Sequence, residues 1–214
     1  HFVVTQKEAV SEITAEGKGA HASTPEEGIN ALTGLLTLLV RLPLAPCGQV
    51  DALKALTELF PHGDTRGEAL GIAMKDELSG ELTLAFSLLT VDDSSLDATF
   101  DSRCPLCAND ENVYQVVKKN LEAKGFELHT KAMRPPHHVD GDSPFVKTLL
   151  AAYEKYTGLK GSCQSMGGGT YVHDLKNGVA FGASMPGTDN RMHGADEFAV
   201  IEELTTAAKI YAQV

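Results

Sequence analysis

Apolar residues recur with two different spacings along the chain, and the change from one spacing to the other marks short strands and short helices. Alternation of apolar and polar residues predicts strands over residues 9–16, 70–75, 82–90 and 96–103, with a fifth over residues 126–131. Helical stretches separate these strands. The order strand, helix, strands, helix, strand predicts an antiparallel sheet with helices on one face.

The best-marked helix start follows the first strand. Thr24 has a side chain suited to cap a helix, Pro25 suits the first helical position, and Glu27 completes a capping box. Apolar residues then follow at helical spacing: Ile29, Leu32, Leu35, Leu36 and Leu39. This pattern predicts a helix that begins after Thr24 and ends before Pro43. Two more helices are predicted over residues 52–60 and from Asn109 or Asp110 through Lys124.

A boundary between two parts of the chain lies at Pro135-Pro136, because consecutive prolines force extended backbone. Beyond it the sequence predicts a helix over residues 144–157, strands over 162–166 and 179–183, and a last helix over 197–212.

The predicted fold class is therefore α/β, in two domains. Residues 1–134 form an α+β domain with an antiparallel sheet and helices on one face. Residues 135–214 form an incomplete α/β domain, since so short a segment with so few strands would struggle to build a stable sheet alone. We expect partner strands from elsewhere.

Composition narrows the classes of function. Asp and Glu outnumber Lys and Arg by 29 to 18, and the formal charge of −11 disfavours a nucleic-acid partner, which needs clustered cations. The longest apolar stretch, residues 32–44, is interrupted by Thr37, Arg41 and Pro43, so we expect no membrane partner. Four irregularly spaced cysteines do not form a secreted disulfide framework and indicate a cytoplasmic protein. Because the chain lacks an initiator Met, we expect it to be a fragment.

Three segments contain residues suited to catalysis or to ligand binding. Residues 17–25 present His21 from a glycine turn, where an imidazole stabilises negative charge on a bound oxygen or merely supports the turn. The glycines of residues 167–170 let backbone amides converge on an anion, or simply form a flexible turn. His193 lies between a predicted strand and the last helix, where it could bind zinc or serve a structural role.

Two other motifs are weaker candidates. Cys104 and Cys107 form a Cys-x-x-Cys pair, which is a redox centre in some folds and half of a zinc site in others, but no second pair accompanies it. His138 and Asp140 fit a His-x-Asp zinc pattern, as far as spacing goes, within His137-His138-Val139-Asp140.

Together the runs GKGAHASTPEEGINAL, SMGGGTYVHDLKNGVAFG and MHGADE resemble a family of co-catalytic zinc peptidases. That family includes PepV-type dipeptidases, carnosinases, and the desuccinylase and deacetylase of diaminopimelate and arginine synthesis. The three runs occur in collinear order over nearly the whole chain. The resemblance implies a lid or dimerisation-type domain over residues 1–134 and the C-terminal portion of the catalytic domain over residues 135–214.

The resemblance also implies roles for individual residues. His21 resembles the lid histidine that steadies the tetrahedral oxyanion, and Arg103 resembles the lid arginine that pairs with the substrate's C-terminal carboxylate. His193 resembles the final zinc ligand. The loop that helps to hold the carboxylate is similar to Gly168, Gly169 and Thr170.

The remaining ligands of the family's two-zinc site do not occur in this sequence. In that family the metal-binding His-x-Asp follows an apolar strand, whereas residues 137–140 follow two prolines, so we reject a metal role for them. We therefore expect the intact protein to bind two zinc ions and to hydrolyse small peptides with a free C-terminal carboxylate, and this chain alone to be inactive. Desuccinylase or deacetylase activity stays open as an alternative. So does a non-catalytic lid or dimerisation module, which would form a homodimer.

Overall fold

The computed structural model describes residues 1–8, 10–181, 184–191 and 196–214. The chain divides into two compact units. Unit 1 comprises His1–Pro136 and Ser165–Gly168, and unit 2 comprises His137–Gln164 and Gly169–Val214. Helices occur with small antiparallel sheets, so the mixed α/β fold class is confirmed.

The strands of unit 1 form antiparallel pairs. Strand β1 (Phe2–Lys7) pairs with β2 (Val10–Ala15), and β5 (Thr83–Val91) pairs with β6 (Leu96–Arg103). A two-residue pair, β3 and β4, lies between them at Lys75–Asp76 and Gly80–Glu81. The strands predicted over residues 82–90 and 96–103 are confirmed, as is the described part of the strand over 9–16. In the described residues the pairing is spread over three two-stranded sheets rather than one.

A single apolar core holds the helices of unit 1 against one side of β5. Helices α1 (Ala31–Leu39), α2 (Gly48–Leu59) and α3 (Gln115–Glu122) all contribute to it. Alternate residues at the start of the β5 segment face the same core. The most deeply buried members are Leu36, Leu56, Leu70, Ile72, Leu82 and Leu84. Burying each such side chain fully stabilises the fold by about 1.5–3 kcal/mol relative to leaving it exposed.

The predicted start of the first helix is wrong. Thr24 makes no side-chain capping bond, and residues Pro25–Glu27 form one 3-10 turn. Helix α1 instead begins at Ala31, where the Asn30 side chain accepts a hydrogen bond from the backbone of Thr33 at 3.1 Å.

A backbone bridge explains the later helix start. Ile29 exchanges two hydrogen bonds with Lys18, with N–O distances of 2.9 and 3.0 Å, and this pairing requires extended backbone. Gly28 makes the approach possible, since a Cβ there would lie 2.7 Å from the Lys18 carbonyl oxygen. Ile29 is consequently 57% exposed rather than part of the predicted buried stripe.

Two predicted strands of unit 1 are also wrong. Residues 70–74 form turns rather than a strand, because Leu70 and Ile72 are buried from a loop in which the Gly71 N–H bonds to Glu68 and the Ile72 N–H bonds to Gly67. Residues 126–131 are irregular. Phe126 donates its backbone N–H to Leu121 at 3.0 Å and so closes the end of α3 instead of opening a strand.

The two other helices predicted for unit 1 are confirmed with shifted bounds. Helix α2 begins four residues before the predicted residue 52. Asn109 caps the next helix through a reciprocal capping box with Asn112. That helix opens with a π turn at Asp110–Tyr114 before α3 continues it.

Unit 2 contains two long helices that pack against each other. Helix α4 (Pro144–Thr157) matches its prediction, and Ser143 caps it. Helix α5 (Ile201–Gln213) begins four residues later than predicted. Their contact buries Val146, Leu149, Ala152, Ala207 and Ile210.

The two strands predicted after Pro136 are wrong where the structure describes them. Residues 162–166 and 179–181 are irregular, and 182–183 lie outside the described residues. Across the described parts of both units, none of the helices has the length and apolar character needed to cross a bilayer.

Candidate substrate-binding site

The loop that carries His21 lies at one end of the β5–β6 hairpin in unit 1. The Thr83 hydroxyl donates a hydrogen bond to the Ala22 carbonyl oxygen at 2.9 Å. Thr83 is in turn the residue that pairs with Arg103 across the hairpin. The structure therefore brings the predicted oxyanion residue, His21, to the same end of the hairpin as the predicted carboxylate residue, Arg103.

The imidazole of His21 is held by the residue two positions along. Its Nδ1 atom lies 2.7 Å from the Ser23 hydroxyl oxygen, and the Ser23 backbone N–H donates to the same nitrogen at 3.2 Å. The Thr24 N–H donates to the His21 carbonyl oxygen at 2.9 Å and closes the turn. Both His21 and Ser23 are half-buried.

Arg103 forms a two-pronged ion pair with Asp101 on the same strand. Its Nε donates to Asp101 Oδ1 at 2.6 Å, and one Nη2 hydrogen donates to Oδ2 at 3.1 Å. The Arg103 side chain is 30% exposed, so the pair lies at the surface of unit 1. A guanidinium has five N–H donors, and this pair occupies two of them while it fixes the plane of the group.

Gly167 completes the cluster in unit 1. A Cβ at this position would lie 2.8 Å from the Ser23 Cβ and 3.4 Å from the Arg103 Cβ. Only a residue without a side chain therefore fits between the His21 loop and the end of β6. Through this contact Gly167 touches the His21 loop at Ser23 and the end of β6 at Arg103.

The other predicted residues of the glycine run divide between the units. Gly168 belongs to unit 1, whereas Gly169 and Thr170 belong to unit 2. Thr170 caps the 3-10 turn Tyr171–Asp174 by accepting a hydrogen bond from Val172 N at 3.3 Å. Their role in binding a carboxylate stays a prediction.

The predicted zinc ligand, His193, lies outside the described residues. Among residues 1–8, 10–181, 184–191 and 196–214, no three or more His, Cys, Asp or Glu side chains are grouped so as to hold a metal ion. The donors described therefore do not fit the family's two-zinc site. In the rejected His-x-Asp segment, His137 donates its Nε2–H to the Gly178 carbonyl oxygen at 2.6 Å, and its ring lies 5.4 Å from that of His173.

The electrostatics at Cys104 do not favour a redox role for its thiol. Burial raises the pKa of the Cys104 thiol, and the nearby Asp101 and Cys107 charges raise that pKa further, against a lowering by the Ser102 hydroxyl. A redox cysteine needs the opposite shift, because the thiolate is the reactive form. Both thiols are free in the structure.

Sequence reasoning gave no role to Ser23 or Asp101 and treated Gly167 only as part of the glycine run. Asp101 could have been found, since residues two apart on a strand share a face and Asp101 precedes Arg103 by two. Ser23 had the weaker signal of a hydroxyl two residues after a candidate histidine. The contact of Gly167 with both segments depends on tertiary structure and had no local signal.

Comparison with known proteins now identifies the family. Residues 8–214 match the family described as "Peptidase family M20/M25/M40". The chain is 38% identical over 199 residues to "Putative dipeptidase YtjP" of Bacillus subtilis (strain 168), covering 92% of this chain and 42% of that protein. It is 30% identical over 202 residues to a similarly named dipeptidase of Staphylococcus aureus (strain USA300), covering 94% of this chain and 43% of that protein.

The chain thus spans less than half the length of these relatives. The match extends through both units and includes the three runs on which the family resemblance rests. The predicted family is confirmed, and the chain belongs to peptidase family M20/M25/M40.

Proposed function

We propose that this chain is the substrate-clamping part of a zinc-dependent dipeptidase that hydrolyses the amide bond of small peptides with a free C-terminal carboxylate. The observation that carries the proposal is the cluster in unit 1, where the His21 loop, Arg103 and Gly167 meet at one end of the β5–β6 hairpin. The family membership and the names of the relatives favour a dipeptidase.

Arg103 is proposed to bind the substrate carboxylate. A planar guanidinium accepts a carboxylate through two parallel hydrogen bonds, a geometry that Lys cannot reproduce. Asp101 already accepts one such pair of hydrogen bonds from Arg103, at 2.6 and 3.1 Å. The substrate carboxylate therefore binds the donors that Asp101 leaves, and Asp101 keeps the guanidinium plane in place. In a chain with a net charge of −11, a fixed cation is needed to attract an anionic peptide end.

His21 is proposed to stabilise the oxyanion that forms when the amide is attacked. A donor aimed at developing negative charge contributes about 10²–10³ in rate, provided that its position is fixed before the reaction. The contacts of His21 with Ser23, and the Thr83 bond to Ala22, supply that fixed position.

The proposal assigns residues 1–134 to the lid and residues 135–214 to the C-terminal part of the catalytic domain, in a cytoplasmic protein. It includes two zinc ions for the whole protein, and it expects this chain alone to be inactive. The check is metal analysis and dipeptide turnover of the purified chain. Turnover with two bound zinc ions per chain would contradict this part of the proposal.

A chimera tests the substrate class. Residues 8–214 replace the matching segment of the Bacillus subtilis relative, and hydrolysis is compared for a dipeptide and for the same dipeptide with an amidated C-terminus. We expect the dipeptide to be hydrolysed and the amide to be a poor substrate. Hydrolysis of N-succinyl or N-acetyl amino acids in place of dipeptides would favour the desuccinylase or deacetylase alternative.

Substitutions at Arg103 sharpen that test. Arg103→Ala in the chimera should lower kcat/KM by roughly 30-fold, the factor that corresponds to about 2 kcal/mol of lost charged hydrogen bonding. Arg103→Lys should recover only part of the lost kcat/KM, because lysine keeps the positive charge but lacks the planar pair of N–H donors. Equal activity of all three proteins would refute the assigned role.

The exposed hairpin of unit 1 favours a second candidate, a homodimer formed through the lid. Strand β1 pairs only with β2 among the described residues, and Phe2, Val4 and Val10 are 44%, 63% and 67% exposed. An open strand edge with apolar side chains is a site for pairing with another chain. Light scattering of the wild-type chain and a Val4→Lys variant tests this, with a dimer expected for the first and a monomer for the second.

A further inference from the structure

Ser23 places two hydrogen-bonding groups on one nitrogen of the His21 ring. The hydroxyl oxygen lies 2.7 Å from Nδ1, and the backbone N–H points at the same atom with an N–N distance of 3.2 Å. The two residues are separated by Ala22 alone, so the interaction is built into the local sequence His21-Ala22-Ser23.

The backbone contact determines which ring nitrogen carries the hydrogen. A backbone N–H is always a donor, so Nδ1 must be the acceptor. In a neutral imidazole one nitrogen accepts and the other carries the hydrogen, which places the hydrogen of His21 on Nε2. The Ser23 hydroxyl can donate to the same lone pair and reinforces that choice. If the ring hydrogen were on Nδ1 instead, the Nδ1–H and the Ser23 backbone N–H would point at each other.

Ser23 is itself fixed by its surroundings in unit 1. The preceding carbonyl, of Ala22, accepts the Thr83 hydroxyl at 2.9 Å, which ties the loop to strand β5. On another side Gly167 approaches so closely that an added Cβ would lie 2.8 Å from the Ser23 Cβ. A chain of contacts therefore runs from the β5–β6 hairpin through Ser23 to the imidazole.

We propose that Ser23 is a positioning residue, which holds His21 in a fixed orientation with its ring hydrogen on Nε2, the atom that donates to the substrate oxyanion. Donation of that hydrogen to the substrate oxyanion rests on the proposed function, whereas the tautomer of the ring does not. Ser23 touches no reacting atom. It acts by keeping the His21 donor in place before the substrate arrives.

Nitrogen NMR of the histidine rings tests the proposal on the chain itself. At about pH 8.5, roughly two units above the ordinary histidine pKa, the protonated and bare ring nitrogens give separate 15N shifts, and exchange between the two forms averages them. We expect a wider separation between the two ring 15N shifts of His21 than between those of the exposed His129, with the His21 hydrogen on Nε2. A separation no wider than that of His129, or a hydrogen on Nδ1, would overturn the proposal.

Two substitutions isolate the hydroxyl group. Ser23→Ala keeps the backbone N–H and removes Oγ, so the separation for His21 should narrow toward that of His129. Ser23→Thr retains a hydroxyl and should preserve the wild-type separation. A loss of fold would move the signals of all histidines together, whereas this effect is confined to His21. No change in Ser23→Ala would overturn the part assigned to the hydroxyl.

Kinetics of the chimera separate this proposal from the proposed function. There Ser23→Ala should lower kcat about tenfold, a part of the 10²–10³ that an oxyanion donor supplies, and leave KM within about twofold. Ser23→Thr should restore kcat. A raised KM with unchanged kcat would overturn positioning for catalysis. If the unsubstituted chimera does not hydrolyse dipeptides, the proposed function fails, and the NMR result still decides what Ser23 does to the ring.

Discussion

Unit 1 and unit 2 differ in how completely they bury their apolar side chains. In unit 1, three helices and the β5–β6 hairpin enclose a core in which Leu70 and Leu82 are 0% exposed. In unit 2, α4 and α5 bury one shared seam, yet Ile201 on α5 is 78% exposed and Tyr171 is 95% exposed.

The candidate site lies in unit 1, the unit with the larger apolar core. A site needs side chains whose positions are fixed by packing around them. The His21 loop and Arg103 are tied to a hairpin whose inner face is buried in the core. Unit 2 offers a helix pair and long irregular segments.

The largest expected effect comes from breaking the core of unit 1. Leu82→Ala removes a side chain that is 0% exposed and should lower the free energy of unfolding by about 2–5 kcal/mol through lost burial and a cavity. Leu204→Ala on α5, where the side chain is 46% exposed, should change it by no more than about 0.5 kcal/mol. Urea unfolding followed by circular dichroism measures both. Equal losses would contradict the comparison between the units.

A smaller effect is expected where the glycine run meets the His21 loop. Gly167→Ala places a methyl group 2.8 Å from the Ser23 Cβ and should destabilise unit 1 by about 1–3 kcal/mol through overpacking. Gly168→Ala is the matched control, since the nearest atom to its added Cβ is the Met166 Cε at 3.8 Å. Thermal unfolding compares the two variants. A Gly167→Ala variant as stable as Gly168→Ala would mean that the close contact does not exist.

The corrected helix start gives a third comparison, within unit 1. Asn30→Ala removes the cap of α1 and also a 2.8 Å bond from the Asn30 amide to the Phe86 carbonyl oxygen, so it should cost about 1–2 kcal/mol. Thr24→Ala should be nearly neutral, since Thr24 caps nothing. The same unfolding experiment ranks them, and the reverse order would restore the helix start that the sequence predicts.

The smallest expected effect is a pH dependence at the β3–β4 turn. Hydrogen bonds from the Ser79 hydroxyl, the Ser79 N–H and further backbone N–H groups lower the pKa of Asp76 to about 2, from an ordinary value of 3.8. Because the folded pKa is depressed, the stabilisation is complete above about pH 4 and is lost as the pH falls toward 2. Asp76→Asn should reduce the loss of stability over that range, measured by urea unfolding at a series of pH values. An unchanged pH profile would contradict the assignment.

Local signals predicted the elements whose side chains follow one unbroken pattern. Helix α4 has Ser143 as its cap and Gly158 as its end, and β6 alternates up to Arg103, so both were predicted within a residue. The wrong helix start has a different cause. Thr24 has a correct capping sequence, but the Lys18–Ile29 bridge takes up the backbone that the helix needs. Long-range pairing of this kind leaves no trace in a short window of sequence.

The candidate site shows the same division. His21 and Arg103 could be predicted from family motifs, and the structure brings their segments together. The residues that hold them, Ser23 and Asp101, carry out that role through contacts two positions along the chain, and Gly167 does so through tertiary packing. Motifs pointed to His21 and Arg103 and strand spacing could have pointed to Asp101, whereas the contact of Gly167 emerges only when the backbone is folded.

The most direct measurement is a titration of the isotope-labelled chain with a dipeptide, observed at the side-chain nitrogens of His21 and Arg103. If one end of the hairpin binds the peptide carboxylate, both sets of signals should shift together with one dissociation constant. The amidated dipeptide should shift neither set to the same extent, and Arg103→Ala should abolish the shift at His21. Shifts of one residue without the other, or equal shifts with the amide, would contradict a single carboxylate-binding site in unit 1.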